Sequence, residues 1–285
     1  MKKIFIKILL TLLTFGTLYA QSDNTDEIIK LTHESRIEAE RSEAKLILEG
    51  NIDLYNERYP IDFISIAELN KQELRILRNL IFARYGYSFK SNELTSYFNN
   101  FEWYKAKSTN VNDQLNYADK RNIEIIRTFE SMDKSQPNII NTNEMVGLWH
   151  ASLIMPSGFY LVFQFYKDGS FTYRYSQMRQ LPEIDKFSGS YEIDGNVILL
   201  TITQTTMYEH TEDVDFSGAF GYQWSKSKRI FIDSNETLQF PIEKIQTIEK
   251  AFSEEDRYPP EMADREVLTI GNVQFFKYSE NPDDY

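Results

Sequence analysis

The stretch Asn70–Phe89, NKQELRILRNLIFARYGYSF, decides how the first half of the chain is read. Asn70 is a good helix N-cap, and Glu73 three residues later completes a capping box. Leu74, Leu77, Ile81 and Tyr85 then recur on one helical face. Gly86 falls where a helix takes a left-handed residue to stop. The run is therefore a capped helix and its exit, and Gly86 is structural before it is anything else. Arg78 and Asn79 are assigned to structure on the same ground.

Working outward, the segment Ser91–Phe98 repeats the pattern, with Ser91 as cap and Leu94, Tyr97 and Phe98 as the apolar face. Trp103-Tyr104-Lys105 follows in a loop. A third helix is expected after Asn112, carrying Leu115, Ala118, Asn122, Ile125, Ile126 and Phe129 on one side. Asn122 is the polar member of that stripe. Burying its amide without a partner costs about 1–3 kcal/mol, so it needs hydrogen bonds. Arg78, Asn79 or main chain near Gly86 are the expected partners. Upstream, residues 25 to 48 read as a helix with an imperfect apolar stripe.

The chain changes character near Pro137. SQPNIINTNE, Ser135 to Glu144, reads as a linker. After it, short alternating runs rich in Tyr, Phe, Thr and Ile are punctuated by turn signals. Lys167-Asp168-Gly169 joins Phe159–Tyr166 to Ser170–Gln177, and Asp194-Gly195-Asn196 joins Gly189–Ile193 to Val197–Thr205. Further strands are expected at Gly218–Trp224, Arg229–Ile232, Val267–Ile270 and Val273–Tyr278, the last two joined by Gly271-Asn272. Ile242–Phe252 reads as a helix. The fold class is α+β: a small all-helical domain followed by an antiparallel β-barrel or β-meander. In a barrel, Phe159, Leu161, Phe163 and Phe165 would face Phe171, Tyr173 and Tyr175 across the interior.

The first residues, MKKIFIKILLTLLTFGTLYA, combine a basic start with a short apolar run and a small residue at Ala20. This is the pattern of a secretory signal peptide, too short to span a bilayer. Export, to the periplasm or beyond, is expected, with no stable membrane span after cleavage. The expected boundaries are 1–20 signal peptide, 21–57 helical segment, 58–134 helical domain, 135–144 linker and 145–285 β-rich domain.

The 285 residues contain no cysteine, which excludes disulfides, thiolate catalysis and cysteine-based zinc sites. The formal charge of −12 becomes −15 without Lys2, Lys3 and Lys7. Such a surface repels nucleic-acid phosphates. His33, His150 and His210 lie far apart in sequence, with no metal-ligand spacing. The acidic run Tyr208–Asp215 lacks the pattern of an EF-hand loop. No nucleophile-elbow, zinc-protease, phosphate-loop or dinucleotide signature occurs. No cofactor, metal or catalytic residue is therefore assigned, and an envelope hydrolase is the last-ranked reading.

The helical half resembles the YARHG domain, a small domain of exported bacterial proteins. The resemblance is carried by Leu74, Leu77, Arg78-Asn79, Phe82 to Gly86, Phe89, Tyr97-Phe98, Trp103-Tyr104 and Asn122-Ile123, over about Arg58 to Glu130. The motif here is Phe82-Ala83-Arg84-Tyr85-Gly86, with Phe and Tyr where the family has Tyr and His. The acidic residue usual before the motif is Leu80. A phenol titrates near 10 and replaces an imidazole poorly in acid–base or metal chemistry. The departure argues for packing or binding. The family's activity is undefined; the missing histidine and the absence of catalytic signatures favour a non-enzymatic binding or scaffold protein, and expected export points to a cell-wall or envelope partner. Arg84, Tyr85, Trp103, Tyr104 and Lys105 are the candidate binding set, because they combine aromatic faces with cationic donors. Gly147-Leu148-Trp149 and the Lys-Asp-Gly hairpin are similar to lipocalin-like bacterial domains, which implies the alternative of a barrel carrying a small apolar ligand.

Overall fold

A computed structural model describes residues 43–55, 61, 63–153, 161–174, 184–210, 227–252 and 258–284. Contacts divide the chain into residues 1–43, of which only Glu43 is described, and one compact unit, Ala44–Tyr285. The described helices are α1 (Glu43–Leu48), α2 (Phe63–Ala67), α3 (Lys71–Arg84), α4 (Asn92–Phe98), α5 (Tyr117–Glu130), α6 (Thr142–Met145) and α7 (Ile248–Ala251). The strands are β1 (Gly147–His150), β2 (Val162–Phe165), β3 (Ser170–Arg174), β4 (Ile184–Asp194), β5 (Val197–His210), β6 (Ser227–Pro241), β7 (Gln246–Thr247), β8 (Glu266–Ile270) and β9 (Val273–Ser279).

Helix α3 forms where its cap and stripe place it. The Asn70 side chain accepts from Glu73 N at 3.0 Å, and Glu73 Oε2 accepts from Asn70 N at 2.8 Å. Leu74, Leu77 and Ile81 are buried. Ser91 caps α4. Helix α5 starts later than expected, at Tyr117. Its cap is Asn116 and not Asn112, because Asp119 at the third helical position closes a reciprocal capping box with Asn116. Leu115 therefore lies outside the helix. The expected helix Ile242–Phe252 contracts to α7, because Ile242 bridges Ile270 and Gln246–Thr247 pair with β8.

The strands form a single sheet in the order β6-β5-β4-β3-β2-β1-β9-β8-β7, with each neighbour antiparallel. The sheet is open and not a closed barrel; it runs through sequential neighbours except at β1, which pairs with β9. The two edges approach where the chain leaves β6: Ile242 bridges Ile270, Gly271 N donates to the Pro241 carbonyl at 2.8 Å and Glu243 N to the Thr269 carbonyl at 3.1 Å. The predicted hairpin turns all join consecutive strands. The strand expected at Gly218–Trp224, the acidic run Thr211–Asp215, His33, Phe159 and Tyr175 lie outside the described residues, as does all but the end of the helix expected over 25–48.

The interior of the sheet is aromatic. Phe163 meets Tyr173 at a ring separation of 4.5 Å and Phe275 at 5.0 Å. Helix α2 places Ile64 over this layer, and Phe129 of α5 packs edge-on to Phe240 of β6. The void left between Ile64 and Phe163, Phe187, Leu200 and Phe240 is about 10 Å³. That is near the space of one water. A second apolar cluster of Ile248, Val267 and Phe276 lies under α7.

Two hairpin turns fasten the sheet to α5. In the β4–β5 turn, Asn196 Oδ1 accepts from Asp133 N at 2.6 Å, just past the helix end. Gly195 has φ +65°, and a Cβ there would lie 2.2 Å from the Asp133 carbonyl oxygen. In the β8–β9 turn, the Asn272 carbonyl accepts from Arg121 Nη2 at 2.9 Å. Among the described residues, no helix is long and apolar enough to cross a membrane.

His150 is buried at the end of β1, paired across the ladder with Phe276, and its ring sits 5.2 Å from that of Tyr278. Burial, and secondarily the Arg265 guanidinium, hold its imidazole below the usual histidine range. The unfolded chain then binds the proton first as pH falls. Stability contributed by neutral His150 is complete above about pH 6.5 and is lost as pH drops towards the lowered folded value. Denaturation of wild type and His150→Gln at pH 7.5 and pH 5 should show a steeper acid loss in the wild type. Parallel losses would show that His150 does not set the slope.

Candidate functional site

The residues of the motif converge on one buried carboxylate. Asp119, in the first turn of α5, is fully buried. Its Oδ1 accepts from Tyr55 Oη at 2.8 Å and from Arg84 Nη1 at 3.0 Å. Its Oδ2 accepts from Tyr85 Oη at 2.6 Å and from Asn116 N at 3.0 Å. Arg84 also lies over the Tyr55 ring, 3.9 Å from the centroid, and its side chain is only 12% exposed. Burial pushes the Tyr55 phenol well above its ordinary range. Tyr55 is therefore a neutral donor to Asp119, while it accepts from Asn122 Nδ2 at 2.9 Å.

Asn122 is buried and paired, but not to the expected partners. Its amide donates to Tyr55, and its Oδ1 accepts from Ile61 N at 2.8 Å. Arg78, Asn79 and the Gly86 turn are engaged elsewhere. Arg78 Nε pairs with Glu130 Oε2 at 2.9 Å, tying α3 to the end of α5. Asn79 Nδ2 donates to the Arg75 carbonyl within its own helix. Gly86 has φ +76°, and a Cβ there would lie 2.7 Å from the Lys105 carbonyl oxygen. Its own carbonyl accepts from Lys107 N at 2.7 Å. The glycine is required both by its backbone conformation and by the close approach of the 105–108 segment.

The remaining candidates belong to an aromatic cluster. Tyr104 is buried and donates to the Tyr87 carbonyl at 2.7 Å. Trp103 is half-buried and stacks on Phe101, with ring centroids 5.5 Å apart. Phe98 packs against Phe89, Tyr97, Trp103 and Tyr104. Lys105 is exposed. The five residues expected to bind thus fall into two groups. Arg84 and Tyr85 surround Asp119, and Trp103-Tyr104-Lys105 lie beyond the Gly86 turn.

Beside these groups an open groove of about 900 Å³ runs along α5. Phe82, Leu115 and Ile123 form its apolar part, and Lys120, Arg121 and Arg127 its basic rim. Tyr117, at the start of the helix, is 77% exposed. Arg121 pairs with Glu124 at 2.9 Å. Among the described residues, Lys120 and Arg127 have no ion-pair partner.

The sequence reading missed Asp119 and Tyr55, and it missed the groove. Asp119 was legible as the acidic residue of an Asn-x-x-Asp capping box. Tyr117, Lys120, Glu124 and Arg127 recur at spacings that place them together on the face opposite the apolar stripe, and an aromatic residue on that face was the available signal. Tyr55 carried no local signal.

The buried pair sets the expected effects of substitution. Asp119→Ala removes the buried carboxylate that Arg84, two hydroxyls and the Asn116 N–H share, and should cost about 3–5 kcal/mol. Tyr85→Phe removes one hydrogen bond to a charged group and should cost about 1.5–3 kcal/mol. Chemical denaturation measures both, and equal costs would contradict the central place of Asp119.

No curated protein and no solved structure matches the chain. A family model described as the YARHG domain matches residues 52–131, and so takes in Tyr55. The Asp119 cluster, the Gly86 turn and the aromatic core of α3 to α5 are thus the interior of a YARHG domain, which this chain carries at residues 52–131.

Proposed function

We propose that this is an exported, non-enzymatic binding or scaffold protein of the cell envelope. Its YARHG domain presents the α5 groove to an envelope component, and the sheet supports that helix from behind. The observation that carries the reading is the groove itself. An exposed tyrosine and two cations without an ion-pair partner among the described residues share one face of α5 and adjoin an apolar floor of Phe82, Leu115 and Ile123, in a chain of net charge −12. A solvated helix face has no need of that combination. The residues of the motif support the groove from within. Both Asp119 oxygens are already taken by Tyr55, Arg84, Tyr85 and Asn116, which favours a framing role over acid–base chemistry. Arg84, Tyr85, Trp103 and Tyr104 would then act on binding through the shape they hold. Export rests on the basic and apolar start of the sequence. The carrier alternative is weakened by the sheet interior, where the space of about 10 Å³ is far below the several hundred of a small-molecule site.

Co-sedimentation with purified cell envelopes tests the reading. Wild type should pellet with the envelopes, and Lys120→Glu/Arg127→Glu, altered only at exposed positions, should stay in solution with an unchanged melting curve. Wild type left in the supernatant would overturn the envelope-binding reading, and equal pelleting of the two proteins would remove the groove from it.

A further inference from the structure

The groove has a chemistry specific enough to name its occupant. Its rim carries three cations against one carboxylate, Glu124, and that carboxylate is already paired with Arg121. Arg121 is also held by the Asn272 carbonyl, so it is fixed in place as part of the wall. Lys120 and Arg127 remain as the two charges available to a ligand, both exposed. They are seven residues apart on α5, which separates them by about 10 Å along the helix axis. Between them lie Glu124, held by Arg121, and the apolar surface of Ile123 with Phe82 and Leu115.

We infer that the groove binds an extended acidic peptide segment with two carboxylates about 10 Å apart and an apolar side chain between them. This deepens the envelope-binding reading and rests on it. A polyproline-type chain rises about 3.1 Å per residue with three residues per turn, so carboxylates three positions apart share one side at about 9 Å. That spacing matches Lys120 and Arg127. The intervening residue meets the floor, where Leu115 and Ile123 are aliphatic. Aliphatic side chains suit an apolar peptide residue. A sugar polymer stacks on open aromatic faces; the floor offers none, because Phe82 is half-buried with its ring 6.1 Å from that of Tyr87, and the open ring of Tyr117 lies at the rim. Tyr117 at the rim can close over the bound chain, as exposed tyrosines do at peptide-binding surfaces. The net charge of −12 opposes binding of such a segment at acidic parts of the surface, which favours a face that carries cations.

The test is fluorescence anisotropy with a labelled Glu-Pro-Leu-Glu peptide and its Gln-Pro-Leu-Gln counterpart, using the full chain. The acidic peptide should bind saturably below about 1 mM. The glutamine peptide should bind at least tenfold more weakly, and Lys120→Glu/Arg127→Glu should lose the acidic peptide by a similar factor. Leu115→Asp, at a half-buried position outside the helices, should weaken binding without touching either cation. Equal affinity for the two peptides, or unchanged affinity in the charge-reversed variant, overturns the assignment. If the peptide fails while a soluble uronic-acid polymer binds wild type and not the charge-reversed variant, the occupant is a polyanionic glycan and the peptide is excluded. Envelope co-sedimentation that persists in that case leaves the broader reading standing. Loss of both removes both.

Discussion

The constraint on which the helical domain depends is a buried negative charge that has to be answered from several directions. Asp119 is fully buried, and a carboxylate in that position costs several kcal/mol unless it is paired and hydrogen-bonded. Its four donors come from three separate stretches of chain. Tyr55 precedes the first long helix, Arg84 and Tyr85 end that helix, and Asn116 begins the next. Satisfying one side chain therefore fixes the relative position of three segments. The Arg84 guanidinium lies over the Tyr55 ring, and Asn122 ties the same phenol to the Ile61 main chain, so the cluster links four stretches of chain.

This arrangement sets what each position of the motif requires in this chain. The position occupied by Tyr85 needs a side chain that donates a hydrogen bond to Asp119 from the last turn of a helix. A phenol does so at 2.6 Å, and an imidazole N–H has the same capability. The constraint is the donor and its reach. Gly86, by contrast, allows no substitute of comparable size, because the Lys105 carbonyl occupies the space of its missing side chain. The motif is a clamp and a turn, and its interior position leaves the opposite face of α5 available for contact with other molecules.

The two halves of the described unit support each other through turns. The Asp-Gly-Asn turn of β4–β5 docks on the residues just beyond α5, and the Gly-Asn turn of β8–β9 takes a hydrogen bond from Arg121. A turn residue with left-handed backbone, Gly195, lets the sheet approach the Asp133 carbonyl as closely as it does. Ile64 and Phe129 complete the contact by covering the aromatic interior of the sheet. The groove consequently sits on a helix held at both ends.

Local signals in the sequence were sufficient for the helix caps at Asn70 and Ser91, the stop at Gly86, the hairpin turns, and the α+β class, because each depends on neighbours within a few residues. Hydrophobic periodicity was likewise enough to place Phe163, Phe171 and Tyr173 inside the sheet. What required tertiary structure was every choice made over long sequence separation. Asn122 found Tyr55 and Ile61, 67 and 61 residues away, because packing of α5 against the segment before α2 brought them there. The order of the sheet, with β1 paired to β9 and the exit of β6 bridged to β8, depends on contacts between distant runs that no single run reveals. The groove, too, exists only where α3, the Leu115 turn and α5 meet. The sequence by itself determined most of the caps, hairpin turns and strands, since those follow from short-range sterics and capping, but not the fate of Ile242–Phe252, where pairing with β8 replaced most of the expected helix. Only the tertiary structure decided which polar groups answer the buried carboxylate and which cations remain facing outward.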